Sequence, residues 1–167
     1  MKRIARYLLC RKSVVWKFKY QDAPRYAYVA TDSDWGGSAK DRKSTSGGVG
    51  MLGEHCIKTW CATQGAYALS TAEAEFYAMI EGVLRAKGLY SLAVDLGFED
   101  LSNVIQLGTD SSAAKSFVAR RGLGKMRHID IRDFWLQKEV RDGNVEVTKI
   151  PGDRNPCLLY TSPSPRD

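Results

Sequence analysis

The sequence predicts an α/β domain in which helices pack on a mixed β-sheet. Three β-prone segments come first, and two more follow, each after a helical segment. Strands joined by a short turn pair antiparallel, whereas strands joined through a helix pair in parallel, so this order predicts a mixed sheet. The chain has 167 residues, of which 44% are hydrophobic and 26% are charged, as is typical of one globular domain. No apolar run approaches the roughly 18 residues needed to span a bilayer, which excludes a membrane protein.

The first half of the chain predicts a helix and three strands. Residues 2–12 have apolar residues at helical spacing with basic residues between them, which predicts a short amphipathic helix. Residues 26–31 predict a strand. Residues 45–53 and 55–62 predict a hairpin that turns at Gly53-Glu54.

A long helix is predicted next. Ser70 and Glu73 fit a capping box, with Ser70 as the N-cap. The apolar face continues toward Gly97, which is predicted to end the helix, with an irregularity near Gly88.

The second half of the chain alternates strands and helices. Residues 104–109 predict a buried strand, and residues 110–112 can cap a short helix. Residues 129–140 predict another amphipathic helix. Residues 142–144 form a turn signal before the last strand, at residues 145–150.

The basic excess is confined to the N-terminus. The net charge is +6, from 25 basic and 19 acidic residues, and residues 1–25 hold eight of the basic residues and one acid. A second run, from Lys115 to Arg127, has five basic residues and no acid. Both runs suit phosphate contact or a solvated helix face, and charge alone does not distinguish the two. The four cysteines lack C-x-x-C spacing and the two histidines are scattered, so an intracellular, reducing compartment is favoured over a disulfide or zinc framework.

Three carboxylates occupy similar places in the predicted elements. Asp32 follows a strand, Glu75 lies in the first turns of the long helix, and Asp110 ends another strand. Such positions can converge on one edge of a mixed sheet, where three acids would repel one another unless a cation lay among them. Mg²⁺ prefers oxygen ligands, and two ions about 3.5–4 Å apart can support phosphodiester hydrolysis.

Each acid also has a structural interpretation. Asp32 could begin a turn, Asp110 could be an N-cap, and Glu75 could lie on a solvated helix face. Glu73 and Glu75 differ by about 200° around a helix, so only one can face the site, and the capping box already occupies Glu73. Asp34 remains an alternative to Asp32, because alternation places both on the same side of a strand.

Six segments together resemble a known family. TDSDWGG, DRKSTSGGVG, LSTAEAEFYA, GTDSSAAK, MRHIDIRDFW and VTKIPGDRNP, in this order, resemble the ribonuclease H domain of Copia-type long-terminal-repeat retrotransposons (Pseudoviridae). The resemblance covers residues 25–156, and residues 1–24 look like the end of the preceding reverse transcriptase region. It implies a ribonuclease H-like fold, with a five-stranded mixed sheet and flanking helices.

The resemblance also implies an activity and its site. It implies hydrolysis of the RNA strand of an RNA–DNA hybrid by Asp32, Glu75 and Asp110, which would hold two Mg²⁺ ions, with Mn²⁺ as an alternative. The partners implied are the hybrid and the reverse transcriptase region of the same Pol polyprotein, with no membrane, in a cytoplasmic virus-like particle. The implied substrate contacts are Arg42, Lys43, Ser70, Thr71 and His128.

Several of these contacts have other interpretations. Arg42 and Lys43 could lie in a solvated turn, and His128 could only cap its helix. The tryptophans could stack on bases, but core packing is favoured for Trp35, Trp60 and Trp135.

The C-terminal segment departs from the family pattern. Residues 157–167, CLLYTSPSPRD, follow no periodicity and can be back-translated into a sequence resembling a transposase-based sequencing adapter. They are interpreted as a non-native tail. The family's fourth metal-binding aspartate is expected at the position of Leu158. A catalytically inactive hybrid-binding remnant is therefore the alternative function, and another nuclease of the same fold, such as a resolvase or integrase core, is a third.

Overall fold

The strands form one mixed sheet. The structure, a computed structural model, describes residues 2–13, 15–122 and 134–157. Its strands are β1 (Tyr26–Ser33), β2 (Thr45–Leu52), β3 (His55–Thr63), β4 (Ser102–Thr109) and β5 (Val145–Lys149). They are ordered β3-β2-β1-β4-β5, with β2 antiparallel to β1 and β3, and β4 parallel to β1 and β5. The predicted five-stranded mixed sheet is confirmed.

The helices follow the predicted order. They are α1 (Lys2–Cys10), α2 (Thr71–Asp95), α3 (Ser112–Val118) and α4 (Trp135–Arg141), and a 3-10 turn follows at Gly152–Arg154. The first part of the predicted helix at 129–140 lies outside the described residues, as does His128. No helix in the described ranges is both long and apolar enough to cross a membrane.

The predicted ends of α2 are confirmed, but its predicted irregularity is wrong. Ser70 Oγ accepts the Glu73 N–H at the start, and Gly97, at φ 90°, ends the helix as the Phe98 N–H donates to the Ala93 carbonyl. The helix runs unbroken through Gly88, around which there is open space. One glycine costs a helix about 1 kcal/mol, which the packing of a 25-residue helix outweighs.

The N-cap of α2 can be tested separately from the site. We expect Ser70→Ala to lower the free energy of unfolding by about 1 kcal/mol, because one N–H of the first turn loses its acceptor. Ser70→Asp should restore most of that loss, since aspartate is an equally good cap. Urea unfolding of the three chains measures the difference, and equal midpoints for Ser70→Ala and the parent would contradict the capping role.

The core lies between the sheet and helices α2, α3 and α4. Phe76 of α2 is fully buried and contacts Phe117 of α3 edge-on, with ring centroids 4.9 Å apart. Leu136 of α4 and Val145 of β5 belong to the same buried cluster. These three helices therefore pack on the same face of the sheet and fix the position of α2 relative to β1 and β4.

The N-terminal arm contacts the hairpin of β2 and β3. Gln21 donates to the Leu52 carbonyl at 3.0 Å and accepts the Glu54 N–H at 2.8 Å, and the Phe18 ring meets His55 edge-on. In helix α1 (Lys2–Cys10), in contrast, the side chains of Tyr7, Leu8 and Leu9 are exposed. The proposed boundary between residues 24 and 25 stays a prediction.

Candidate active site

Two of the three acids are brought together by the pairing of β1 with β4. These strands are parallel neighbours, so their carboxyl ends meet at one edge of the sheet. Asp110 follows β4 directly, and Ser111, not Asp110, caps α3 by accepting the Ala114 N–H. The prediction that Asp32 follows its strand is wrong, because β1 extends to Ser33 and Asp32 pairs with Gly47 of β2.

Glu75 reaches the same edge from α2. Its Oε1 accepts two hydrogen bonds from Ser33, from the backbone N–H at 3.1 Å and from the hydroxyl at 3.0 Å. Asp32, Glu75 and Asp110 each offer one oxygen, and these oxygens all lie within 4.8 Å of one another. The structure thus assembles the three acids that the sequence singled out.

The neighbouring acids are occupied elsewhere. Glu73 Oε2 accepts the Leu69 N–H at 2.9 Å, and its Oε1 accepts the Tyr77 hydroxyl. Asp34 Oδ1 accepts the Thr45 N–H across the start of the loop between β1 and β2. Glu73 and Asp34 therefore hold the backbone through hydrogen bonds. Among the described residues, neither belongs to the three-acid group.

Burial and mutual repulsion make the three-acid group unstable when fully ionised. Glu75 is only 8% exposed, and burial, followed by the charge of Asp32, raises its pKa to about 7 despite the Ser33 hydrogen bonds. Burial, followed by the charge of Asp110, also raises the pKa of Asp32. Within the described part of the chain, the buried Glu75 Oε2 has no hydrogen-bond partner.

This donor set fits a hard divalent cation. Asp32 lies near the end of β1, Asp110 follows β4, and Glu75 lies in the first turns of α2, so all three supply oxygen ligands at one place. A cation there would satisfy Glu75 Oε2 and offset the repulsion between the carboxylates. Without a cation, the raised pKa values of Glu75 and Asp32 favour protonation of a carboxylate in this group. The acidic group is therefore a candidate metal centre, whatever ion it selects.

The predicted substrate-binding residues lie at two places. Arg42 is exposed in the loop between β1 and β2, with a left-handed φ of 57°, and the neighbouring Lys43 donates to the Gly65 carbonyl at 3.1 Å. Ser70 caps α2, and Thr71 is exposed as its first residue. His128 lies outside the described residues, so its role stays a prediction.

Two features of this region escaped the sequence reasoning. Ser33 holds Glu75, a role that its position beside Asp32 could have suggested. Core packing was favoured for Trp35, and that prediction is wrong: Trp35 is 55% exposed, because it lies on a loop beyond the edge of the sheet. Trp60 and Trp135 do pack against the core.

The last described residues lie against β1. Asn155 is fully buried, donates to the Thr31 carbonyl at 3.4 Å and accepts the Cys157 N–H at 3.0 Å. Burial and then the charges of the three acids raise the pKa of Cys157 to about 12. The chain therefore passes near the three acids at this point, and Leu158 lies outside the described residues.

The chain is similar to transposon polyproteins. It is 30% identical over 141 residues, 82% of this chain, to a retrovirus-related Pol polyprotein from transposon TNT 1-94 of Nicotiana tabacum. It is 26% identical, over 90% of this chain, to the corresponding polyprotein from transposon RE2 of Arabidopsis thaliana. The chain spans about one tenth of the length of each of these relatives.

The fold comparison agrees with the sheet topology. The N-terminal RNase H domain of a Mycobacterium tuberculosis protein superposes with a TM-score of 0.50 at 18% identity, over 78% of this chain and 85% of that chain. No protein-family model matches the sequence. The predicted ribonuclease H-like fold is confirmed.

Proposed function

We propose that this chain, a homologue of the Pol polyproteins of plant transposons with a ribonuclease H-like fold, is the ribonuclease H of such a polyprotein. It would hydrolyse the RNA strand of an RNA–DNA hybrid. The observation that carries the proposal is the convergence of Asp32, Glu75 and Asp110, with oxygens within 4.8 Å of one another. The hybrid and the reverse transcriptase region of the same polyprotein are the proposed partners, in the cytoplasmic particle of the element.

Each acid has a distinct part in holding the metal. Asp32 is the last residue but one of β1 and Asp110 directly follows the neighbouring β4, which fixes their spacing. Ser33 holds Glu75 Oε1 and leaves Oε2 available. Mg²⁺ is the proposed ion, with Mn²⁺ as a substitute, because both prefer carboxylate oxygens. Two such ions, when bound, would activate a water molecule and stabilise the 3′-oxygen leaving group.

Recognition of the hybrid would depend on shape. An A-like duplex displays 2′-hydroxyls in a wide, shallow minor groove, and proteins read these together with the phosphates. Arg42 and Lys43 lie in the loop that follows β1, the strand of Asp32, and Thr71 lies one turn before Glu75 on α2. Arg42 and Thr71 are exposed, and we expect these residues to reach a nucleic-acid backbone. We therefore expect little dependence on base sequence.

Cleavage of an end-labelled RNA–DNA hybrid tests the proposal. We expect the chain to cut the hybrid in Mg²⁺ and not in EDTA. Asp110→Asn should abolish cutting, since it removes one charged ligand and keeps the shape of the side chain. Asp34→Asn is the matched control, because Asp34 lies beside Asp32 without joining the cluster and an asparagine can still accept the Thr45 N–H.

The possible outcomes separate the alternatives. Equal rates for Asp110→Asn and the parent chain would contradict the three-acid site. Faster cutting of duplex DNA than of the hybrid would favour a resolvase- or integrase-type nuclease. Tight, salt-dependent hybrid binding without cutting by the parent chain would identify an inactive remnant.

A further inference from the structure

An exposed aromatic surface lies beside the three acids. Trp35 is 55% exposed, Tyr67 57% and Leu69 66%. The Trp35 indole N–H donates to the Ala68 carbonyl at 3.1 Å, which places the indole beside the loop segment that contains Tyr67 and Leu69. We call Trp35, Tyr67, Leu69 and Lys43 the aromatic platform.

The platform is held in place without being buried. The only polar atom of the indole is satisfied by Ala68, so the ring is anchored by its edge. Lys43 Nζ lies 5.3 Å from the centre of the Tyr67 ring and donates to the Gly65 carbonyl. Among the described residues, Lys43 forms no ion pair within 4 Å, although its charge acts on the exposed carboxylate of Asp41. Anchored aromatic rings that face solvent are typical of binding surfaces.

The platform is connected to the acids through short covalent and hydrogen-bonded paths. Trp35 is three residues from Asp32, so their Cα atoms lie at most about 11 Å apart. Ala68 is two residues from Ser70, the N-cap of the helix that carries Glu75. At about 3.4 Å per nucleotide along one strand, the separation of Asp32 and Trp35 corresponds to at most about three nucleotides.

We propose that the aromatic platform is a contact surface for the RNA–DNA hybrid. Trp35 and Tyr67 would pack on the sugar and base surface of one strand, and Lys43 would lie against its phosphates. Trp35 and Tyr67 are then positioning residues that act on substrate binding, with no part in the chemical step. This inference rests on the proposed function, which supplies the hybrid.

Binding to uncut hybrid tests the platform independently of catalysis. The full chain carrying Asp110→Asn is titrated into a fluorescein-labelled hybrid, and anisotropy gives the Kd at several salt concentrations. We expect Trp35→Ala in this background to weaken binding roughly tenfold, about 1.4 kcal/mol, because the apolar contact of the indole with the strand is lost, with an unchanged salt slope. Lys43→Gln should instead reduce the salt slope by about 1, because one phosphate contact is lost.

Two further variants separate ring contact from loop anchoring. Trp35→Phe keeps a ring but loses the hydrogen bond to Ala68, and we expect its Kd to stay within about threefold of the parent, because most of the apolar contact surface is retained. Trp16→Ala is the matched control, because Trp16 is 58% exposed but lies against the hairpin of β2 and β3. Its Kd should not change.

Different experimental results would overturn this inference and the proposed function. An unchanged Kd for Trp35→Ala, or equal losses for Trp35→Ala and Trp16→Ala, overturns the platform and leaves cleavage by the parent chain untouched. Absence of any hybrid binding also overturns it. Cutting by Asp110→Asn overturns the proposed function, and the Kd comparison, made in EDTA so that the hybrid stays uncut, still decides the role of the platform.

Discussion

Replacing Glu75 by glutamine should abolish hybrid cleavage and, without metal, stabilise the protein at alkaline pH. The glutamine side chain can still accept both Ser33 hydrogen bonds but supplies no charge to a cation. Metal ions contribute several kcal/mol of transition-state stabilisation, and about 1.36 kcal/mol corresponds to a factor of ten. We therefore expect the cleavage rate in Mg²⁺ to fall by roughly a thousandfold or more.

The stability effect follows from the raised pKa of Glu75. Its pKa is about 7 in the folded protein against an ordinary 4.5, so the folded state holds its proton more tightly than the unfolded chain. The free energy of unfolding of the metal-free protein therefore falls by about 3 kcal/mol in all as the pH rises from about 4.5 to about 7. Glu75→Gln should be more stable than the parent by up to that amount at about pH 8 and equal to it near pH 4.

Urea unfolding in EDTA across this pH range measures the difference. Mg²⁺ should then raise the unfolding midpoint of the parent at about pH 8 and leave that of Glu75→Gln unchanged. If the free energy of unfolding of Glu75→Gln equalled that of the parent at every pH, the claim that ionised Glu75 destabilises the metal-free protein would be contradicted. Cleavage by that variant at the parental rate would contradict its assignment as a ligand.

The second large effect is expected at Gly82, where α2 crosses β1. A Cβ atom at this position would lie 2.4 Å from Thr31 Cγ2, and threonine is too stiff to move aside without a shift of the backbone. We expect Gly82→Val to lower the free energy of unfolding by about 3 kcal/mol through overpacking. Because α2 carries Glu75, the displaced helix should also reduce cleavage by about a hundredfold, the cost of a misplacement of about 1 Å.

Gly88→Val is the control for that experiment. Gly88 lies on the same helix with no atom near its absent Cβ, so the substitution should change the unfolding free energy by less than about 0.5 kcal/mol. Urea midpoints and cleavage rates of the two variants are compared directly. Equal destabilisation at Gly82 and Gly88 would contradict the close approach to Thr31 as the cause.

The order of the elements was predictable because it depends on local patterns. The capping residue Ser70, the turn at Gly53 and the terminator Gly97 each act within a few residues, and each lies where the sequence indicated. The convergence of Asp32 with Asp110 followed from parallel pairing. The choice of Asp32 over Asp34 did not, because strand alternation permits both and the Thr45 hydrogen bond that occupies Asp34 is a tertiary contact.

Other features could not be predicted from local patterns. The exposure of Trp35 depends on the path of a loop and on a hydrogen bond to Ala68, 33 residues away. The protonation of Glu75 depends on the burial of its side chain and on Asp32, which is distant in sequence. Core packing is the general expectation for tryptophan, but the path of the loop leaves Trp35 exposed.

The most direct test of the central claim identifies which strand is cut and what end is left. A hybrid with different labels on its RNA and DNA strands is incubated with the chain in Mg²⁺, and the products are resolved by length and tested for extension by a polymerase. We expect cuts in the RNA strand alone, each leaving a 3′-hydroxyl that can be extended, since the 3′-oxygen is the leaving group. Cuts in the DNA strand, or RNA ends that carry a 3′-phosphate, would contradict this claim.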